Sequence, residues 1–505
     1  MHDQRAPGRI RVGLSAGPFD AAVAIADTGG VTGVIAQERL TRVRGAGLPP
    51  RGPQDTVDLL LHHRGRSKAD VAGWSVTPSG GQAIEADARV LPGHLASAAT
   101  AYLTSPFSDA LVVVCDRQPP FVSAWRGHGA AIDPLDVPWR GEGFAGLLTQ
   151  CARWLGFSGE GAHARFEALA RLAPDAANPW LDELVELGED EIRVDGRFES
   201  AVARQLSEAG TDIDSRAEIA SALQKTVGRV LYEWLLRIGR RTGCTRVALG
   251  GELFYLSSFN TMVAESSVFD SVFVPVDPGD AGRAVGAALI GVGCRVPAAS
   301  PFQGPDFAPA DVKAVLDNCK LQYSWESDEG AISVAARALA GGRLVGWFEG
   351  PMEWGRRALG GRSILAHPLA PYALENLNRF LKRREPWRGY AMSGTAAAVA
   401  EHFSGPPGSP FMQFEYRARE PRHFETAMPR AKALTRLHTV DDLSAPPRFG
   451  RLLSRFTEMT GCPFLFNTSF NGFHEPIVCD PRDAVRVFYG TGLDLLVMGQ
   501  FVLTK

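Results

Sequence analysis

A proline-rich stretch near the middle of the chain limits how its 505 residues can fold. Residues 297–309 carry four prolines in 13 residues, and proline interrupts helices and inner strands because it lacks a backbone N–H. A chain of this length can form two or three domains. We therefore expect one module over residues 1–300, a linker over 301–312 and a second module over 313–505.

Composition and charge argue against several classes of function. The chain is 45% hydrophobic and 22% charged, an ordinary globular composition, with a formal net charge of −3. This charge disfavours a protein that coats nucleic acid or binds a membrane surface. No stretch approaches the roughly 20 apolar residues of a membrane span, and residues 1–12 lack a signal-peptide core. Seven scattered cysteines without a CxxC pair are typical of reduced thiols in a cytoplasmic protein.

The first half has the pattern of a mixed α/β fold. Apolar runs joined by short turns predict strands at 9–12, 21–26, 31–36, 111–116, 246–250 and 272–276. The first three read as a meander of hairpins. Residues 219–241 have the spacing of a long amphipathic helix, and residues 281–291 are rich in small side chains, which favours a closely packed helix.

A glycine- and arginine-rich stretch at residues 350–363 is the strongest functional signal. It holds four glycines together with Arg356, Arg357, Arg362 and Ser363, and it follows an apolar run at 344–348 that predicts a buried strand. Guanidinium groups bind phosphate or carboxylate in a planar, bidentate way, and glycine lets the backbone approach a ligand closely. The stretch predicts a site for an anionic, phosphorylated small molecule. The alternative is a surface turn with solvated arginines.

Two polar clusters follow further along the chain. Residues 382–388 carry four basic side chains in seven positions, and Asn467 to Asn471 place amides and hydroxyls just after an apolar run at 464–466. Such groups can offer several hydrogen bonds to one ligand. Together with the arginine stretch they favour a pocket for a nucleotide and a phosphate. The alternatives are a solvated helix face for the first cluster and a hydrogen-bonded turn for the second. The Walker lysine motif is absent, so the site is not a P-loop.

These motifs resemble the signatures of the O-carbamoyltransferases of the nodulation, cephamycin and tobramycin type. The stretch 350–365 is similar to their GxMEFGPRALGxRSIL signature, and residues 377–388 fit their basic block, with Gly389 where proline is usual. Residues 466–478 fit their NTSFN and EPIV motifs, and residues 491–499 fit as well. The resemblance runs from about residue 9 to the C-terminus and is more specific in the second half.

The resemblance implies two modules with different chemistry. The first is similar to an actin/Hsp70-like (Kae-type) α/β fold that transfers a carbamoyl group to an acceptor. The second is similar to the YrdC-like α/β fold that makes carbamoyladenylate from carbamoyl phosphate and ATP. Phosphate neutralisation and substrate binding would fall to residues of the second half: Arg357, Arg362, Ser363, Lys382, Arg384, Arg388, Asn467, Ser469 and Asn471. A small-molecule acceptor is implied, as in secondary metabolism, and neither nucleic acid nor membrane is.

The first half departs from the family at its metal site. The family binds iron with an HxxxH helix and two aspartates, but here the two histidine positions are Gly93 and Ser97. Asp116 and Asp280 remain, and two carboxylates with waters can hold Mg²⁺ but form a poor iron or zinc site. Two lysine positions of the family are also changed, to Arg44 and to Arg165. The fold is expected to survive, with an altered or abandoned transfer chemistry.

Catalytic groups in the first half are therefore assigned from what remains. We expect His94, Asp116 and Asp280 to act there, because a histidine near carboxylates can serve as a general base. Asp20, Glu38 and Glu252 are further candidates, although Glu38 can simply pair with Arg39 or Arg42. Two alternatives stay open: a protein that forms only the adenylate, for a protein partner or for an amine acceptor, and a non-catalytic subunit of a carbamoyltransferase.

Overall fold

The computed structural model describes residues 9–49, 51–78, 87–176, 179–297, 299–428 and 434–505. The predictions for residues 1–8 and for residue 298 of the proline-rich stretch fall outside these ranges. The strands of the first half are β1 (Ile10–Ala16), β2 (Ala22–Asp27), β3 (Gly30–Ala36), β4 (Val71–Pro78), β5 (Arg89–Val90), β6 (Asp109–Cys115), β7 (Val122–His128), β8 (Ala131–Pro134), β9 (Val185–Leu187), β10 (Ile192–Val194), β11 (Arg246–Gly250) and β12 (Ser271–Phe273).

Ten of these strands form two sheets with the same topology. The first sheet has the order β3-β2-β1-β4-β5 and the second the order β8-β7-β6-β11-β12. In each sheet the first three strands of this order are antiparallel neighbours. The remaining two strands run parallel to the central strand, which is β1 in the first sheet and β6 in the second. This duplicated arrangement is that of the actin/Hsp70-like fold, so the α/β class expected for the first half is confirmed.

The helices of the first half are α1 (Gln37–Thr41), α2 (Gln54–His63), α3 (Gly93–Leu103), α4 (Phe144–Trp154), α5 (Ala162–Ala170), α6 (Pro179–Asp182), α7 (Phe198–Ala209), α8 (Ile213–Thr242), α9 (Ser257–Glu265) and α10 (Asp280–Val292). The long helix α8 starts six residues before the predicted one because Asp212 caps it through the backbone N–H of Ser215, and Gly243 in the left-handed region ends it.

Helix α10 is packed closely against α3 and β1, as its small residues predict. A Cβ atom added to Gly13 would lie 2.0 Å from the carbonyl oxygen of Ala284, and one added to Gly286 would lie 2.0 Å from that of Ala96. Glycine is therefore required at position 13 for the contact of β1 with α10 and at position 286 for the contact of α10 with α3. The packing brings the first turn of α10 next to the first turn of α3, where the candidate site of the first half lies.

The second half contains a single mixed sheet of ten strands among its described residues. Its strands are β13 (Ser324–Trp325), β14 (Val345–Phe348), β15 (Arg362–Ala366), β16 (Met392–Thr395), β17 (Phe403–Ser404), β18 (Glu415–Ala418), β19 (Leu434–Val440), β20 (Leu465–Ser469), β21 (Leu495–Met498) and β22 (Phe501–Thr504). They pair in the order β13-β22-β21-β14-β15-β20-β16-β19-β18-β17. Its helices are α11 (Pro309–Asn318), α12 (Asp328–Ala340), α13 (Ala373–Glu375), α14 (Ala396–His402), α15 (Pro447–Thr460) and α16 (Pro481–Gly490).

Two expectations about strands in the second half are wrong in detail. The polar run Asn467 to Ser469 is not a turn after the strand but part of β20, because Ser469 and Asn467 pair directly with Ser363 and Leu365 of β15. The apolar run at 495–503 predicts one C-terminal strand, but it forms the hairpin β21–β22, whose turn contains Gly499 at a φ of 54°. Among the described residues, no helix is long and apolar enough to cross a membrane.

Candidate functional site

The positions that correspond to the family's metal ligands meet at the side chain of Arg283, in the first turn of α10. Its Nη2 atom lies 2.5 Å from Oδ2 of Asp116 and its Nη1 atom 2.6 Å from Oδ1 of Asp280, while Nε donates to Oγ of Ser97 at 3.2 Å. A Cβ atom at Gly93 would lie 3.6 Å from Nη1. The two aspartates and the two family histidine positions thus surround one guanidinium group.

Burial governs the electrostatics of this cluster. The side chains of Asp116 and Arg283 are 1% and 9% exposed. Burial raises the pKa of Asp116, partly offset by Arg283, and it raises the pKa of Asp280 well above its usual range. Burial alone would lower the pKa of Arg283, but the two aspartates outweigh it and the pKa is raised. The positive charge in this cluster is therefore the guanidinium group of Arg283.

The iron site that the family implies does not fit these residues. The described part of the chain contains no group of three or more His, Cys, Asp and Glu side chains that could hold a metal ion. Gly93 and Ser97 supply no ring nitrogen, and both carboxylates already contact the guanidinium. The Mg²⁺ considered for Asp116 and Asp280 would have to share these oxygens with Arg283.

The other first-half candidates each have a partner of their own. His94 contacts Oγ of Ser123 through Nδ1 at 2.8 Å, and burial lowers its pKa to about 4. Among the described contacts it makes no hydrogen bond to Asp116 or Asp280. Glu252 binds Arg117, Asp20 binds Arg356 at 2.8 Å, and Glu38 accepts from the backbone of Gly45 and lies 3.6 Å from Arg39, as predicted for a structural pair.

The three arginines of the 350–363 stretch do not share one site. Arg356 reaches Asp20 and lies over the ring of Tyr255, and Arg357 donates to the carbonyl oxygen of Tyr255 at 2.9 Å, so both enter the first half. Arg362 is fully buried within the second half against Phe348, where its Nη1 binds three backbone carbonyls.

The stretch itself is an ordered loop with buried hydrogen bonds and not a solvated surface turn. Glu353 is fully buried, and its Oε1 accepts from the backbone N–H groups of Leu359, Gly361 and Arg362. Ser363 is buried as well, and its hydroxyl accepts from the N–H of Gly360 at 3.0 Å. The loop is therefore held by its own second-half residues, while its two middle arginines bridge to the first half.

Lys382 marks the site of the second half. A π-helical turn, Asn376–Lys382, ends at this residue and places its ammonium group 2.6 Å from the carbonyl oxygen of Ser469. The carbonyl and side-chain oxygens of Asn471 accept from it as well. Its side chain has neutral partners but no acidic partner among the described residues, and burial, with Arg384 and Arg44, lowers its pKa well below the usual value.

Three further basic side chains, two of them from the first half, surround Lys382 and Arg388. Arg384 lies over the ring of Tyr390 and donates to Oδ1 of Asn378 at 2.8 Å. Burial, with Arg384 and Arg165, lowers the pKa of Arg388 to about 10. Acidic partners are few: Glu385 lies 3.6 Å from Arg388, and Glu160 lies 2.8 Å from Arg44. We call Arg44, Arg165, Lys382, Arg384 and Arg388 the basic cluster.

Arg44 and Arg165 were missed as site residues. Both stand where the family has lysine, and from the sequence alone this change indicates a lost site. The retained positive charge was the signal, since each arginine acts electrostatically on a second-half member of the cluster. A cavity of about 640 Å³, a size typical of ligand pockets, opens beside the basic cluster. It is lined in part by Asn378, Arg384 and Pro386.

Asn467 belongs to a buried polar row on the same sheet. Its Nδ2 donates to Oγ of Ser393 at 3.0 Å, Ser393 contacts Nδ1 of His438, and His438 contacts the carbonyl oxygen of Ser444. Burial lowers the pKa of His438 to about 4, so this histidine is neutral near pH 7. The Oδ1 atom of Asn467 is buried without a hydrogen-bond partner in the described chain.

A second buried charge cluster joins the two halves. Arg171, just after α5, binds Glu415 of β18 through Nε at 3.0 Å and lies 3.2 Å from Glu167. Burial, together with Arg357 and Arg171, lowers the pKa of Arg436 well below its usual value. Three arginines and two glutamates share this region, so it too carries excess positive charge.

Comparisons with known proteins identify the family of this chain. Residues 336–505 match the family model described as Carbamoyltransferase C-terminus. Nodulation protein NolO of Bradyrhizobium diazoefficiens is 30% identical over 434 residues, covering 82% of this chain and 78% of that protein. The 3'-hydroxymethylcephem-O-carbamoyltransferase of Amycolatopsis lactamdurans is 31% identical over 245 residues, covering 48% of this chain and 45% of that protein.

Likeness to solved structures is weaker. Full-length HypF in its phosphate- and nucleotide-bound form covers 57% of this chain and 47% of that chain at 12% identity, with a TM-score of 0.42, too low to support a conclusion. The assignment therefore depends on the sequence relatives, of which NolO is matched over most of its length. By that match and by its C-terminal family model, the chain belongs to the O-carbamoyltransferase family.

Proposed function

We propose that this protein is an ATP-dependent carbamoyltransferase whose second half makes carbamoyladenylate. In this reaction, water releases phosphate from carbamoyl phosphate. A carboxylate oxygen of the resulting carbamate then attacks the α-phosphorus of ATP, and pyrophosphate leaves. The carbamoyl group passes to a hydroxyl or amine of a small-molecule acceptor, and AMP is released.

The basic cluster is the observation that carries this proposal. Five cations with two nearby acidic partners leave excess positive charge beside Ser469 and Asn471. Two polyanionic substrates repel each other, and neutralising their charge is the main contribution that a phosphoryl-transfer site makes. A bound phosphate would also favour the ammonium form of Lys382, which burial disfavours. The neighbouring cavity has room for a nucleoside.

A second candidate function is favoured by the first-half cleft. Arg283, Arg117 and Arg356 pair there with Asp116, Glu252 and Asp20, so the groups that would activate a hydroxyl are already engaged. An amine acceptor needs less activation than a hydroxyl. The adenylate would then react directly with an amine or be used by a partner protein, and the first half would serve mainly as a scaffold.

ATP–pyrophosphate exchange without an acceptor tests adenylate formation. We expect exchange that requires carbamoyl phosphate and Mg²⁺ and that falls at least about tenfold in Arg388→Ala. Arg455→Ala is the matched control, because Arg455 is half-exposed and pairs only with Glu458 among the described residues. Absence of exchange in the folded wild-type protein would reject adenylate formation from these substrates.

A further inference from the structure

We infer that Arg283 is the resident cation of the first-half site: its guanidinium takes the place of a metal ion between Asp116 and Asp280. The inference concerns this cleft alone, and it holds whether or not the second half makes an adenylate.

The first argument is convergence. Asp116 ends a buried strand, Asp280 begins α10, and Gly93 and Ser97 are one turn apart on α3. Three separate elements thus direct four positions to one point, and Arg283 occupies that point with contacts of 2.5 Å, 2.6 Å and 3.2 Å to three of them. The planar fork of a guanidinium suits two carboxylates that approach from different sides.

The second argument is space. A Cβ atom at position 93 would lie 3.6 Å from Nη1, 3.7 Å from Cζ and 3.8 Å from Nε of Arg283. These are ordinary van der Waals distances for a Cβ atom, so an imidazole at position 93 that pointed toward the aspartates would compete with the guanidinium for the same volume. An imidazole at position 97 would replace the hydroxyl that accepts from Nε. Gly93 and Ser97 leave this volume to the arginine.

The third argument is charge. Two buried carboxylates without a cation are strongly unfavourable, and Glu252 beside them adds a third carboxylate, which contacts Asp280 as well as Arg117. Arg283 supplies the missing positive charge from within the chain. A cation that is covalently part of the protein cannot be removed by a chelator, so the cleft keeps its charge balance and its geometry in metal-free solution.

Thermal unfolding of Arg283→Ala tests the inference. We expect the wild-type midpoint to be insensitive to EDTA and to 1 mM Mn²⁺, within about 1 °C. The variant should lose roughly 5–10 °C and recover at least half of that loss with millimolar Mn²⁺ or guanidinium ion. The control is Arg126→Ala, which breaks a half-exposed pair with Asp109 in the same half and should show no recovery with either cation.

A gain-of-site variant keeps the inference testable if Arg283→Ala does not fold. The triple variant Gly93→His, Ser97→His, Arg283→Ala should bind about one Co²⁺ with a visible absorption band, and a further Asp116→Asn change should weaken that binding at least tenfold. Two results would overturn the inference. One is a wild-type protein that binds a stoichiometric divalent ion lost on Asp116→Asn. The other is a folded triple variant that binds no more Co²⁺ than the wild type.

Discussion

The two charged regions of this protein differ in how their cations are balanced. In the first-half cleft, Arg283, Arg117 and Arg356 each contact at least one carboxylate at hydrogen-bonding distance. In the basic cluster, the second-half members lack close acids: Lys382 contacts neutral oxygens only, and the nearest acid to Arg388 is 3.6 Å away. The three arginines of the cleft meet four carboxylates, those of Asp20, Asp116, Glu252 and Asp280, so no positive charge is left there, whereas the basic cluster has charge left for an anion.

This difference separates a structural role from a binding role. A buried ion pair that is complete gains little from a ligand, and removing one partner leaves an uncompensated charge. A buried cation without an acid is held at a cost in stability, which proteins tolerate at sites that bind anions. We therefore expect substitutions in the cleft to change folding and substitutions in the basic cluster to change chemistry.

The largest effect is expected for Lys382→Met. Loss of the buried ammonium group should lower ATP–pyrophosphate exchange about 10²–10³-fold, the usual range for removing one electrostatic contact to the transition state. The free energy of unfolding in urea should change by no more than about 1 kcal/mol, because the desolvation penalty of the buried ammonium group is removed and offsets the loss of its hydrogen bonds. Lys313→Met, on an exposed pair with Asp317, is the control and should retain full exchange.

Asp116→Ala should show the opposite pattern. We expect unfolding free energy to fall by about 3 kcal/mol, the low end for a broken buried pair because Asp280 still holds Arg283. Asp109→Ala, at the other end of β6, breaks a half-exposed pair and should cost less than about 1 kcal/mol. Equal losses in the two variants would show that the cleft is not a balanced buried cluster.

The free energy of unfolding is expected to depend on pH through one buried histidine in each half. The pKa values of His94 and His438 are lowered to about 4 from about 6.5 in the unfolded chain. The stability that each contributes is complete above pH 6.5 and is lost as pH falls toward 4, on the order of 3 kcal/mol per histidine. His94→Gln should therefore flatten the fall in unfolding free energy between pH 6.5 and 4.5. An unchanged slope would mean that the histidine protonates in the folded protein.

The smallest effect is expected for Arg44→Ala. Arg44 and Glu160 are each about two-fifths exposed, so their pair should contribute less than about 1 kcal/mol to unfolding free energy. Its loss should raise the KM for ATP only a few-fold, since Lys382 and Arg384 remain. A loss of stability as large as that of Asp116→Ala would place Arg44 in a structural network and not at the edge of a binding site.

Local pattern predicted the elements of this fold well. Strands β1, β2 and β3 and helix α10 lie within a few residues of where their apolar and small side chains placed them, whereas β4 and β5 of the same sheet were not predicted. The errors arose where pairing overrides local polarity. Asn467 and Ser469 are polar, yet they lie in β20 because β15 offers them a partner strand, and Gly499 turns one apolar run into two strands.

Prediction of the site was more limited, since sequence spacing does not say which way a side chain points. Arg356, Arg357 and Arg362 are separated by at most six positions, yet the first two contact the first half and the third lies in the interior of the second half. Arg44 and Lys382 are more than three hundred positions apart and act on each other. Such distances are set by packing between the halves.

The sequence by itself determined the family, the α/β character of both halves and the loss of two histidines from the first. Motifs and small-residue patterns are local, so one chain is enough to read them. Only the tertiary structure decided what replaced the histidines. Arg283 lies 186 positions beyond Ser97 and 167 beyond Asp116, and it meets them because α10 packs against α3 beside the end of β6. A charge balance made across three elements exists only once those elements are packed.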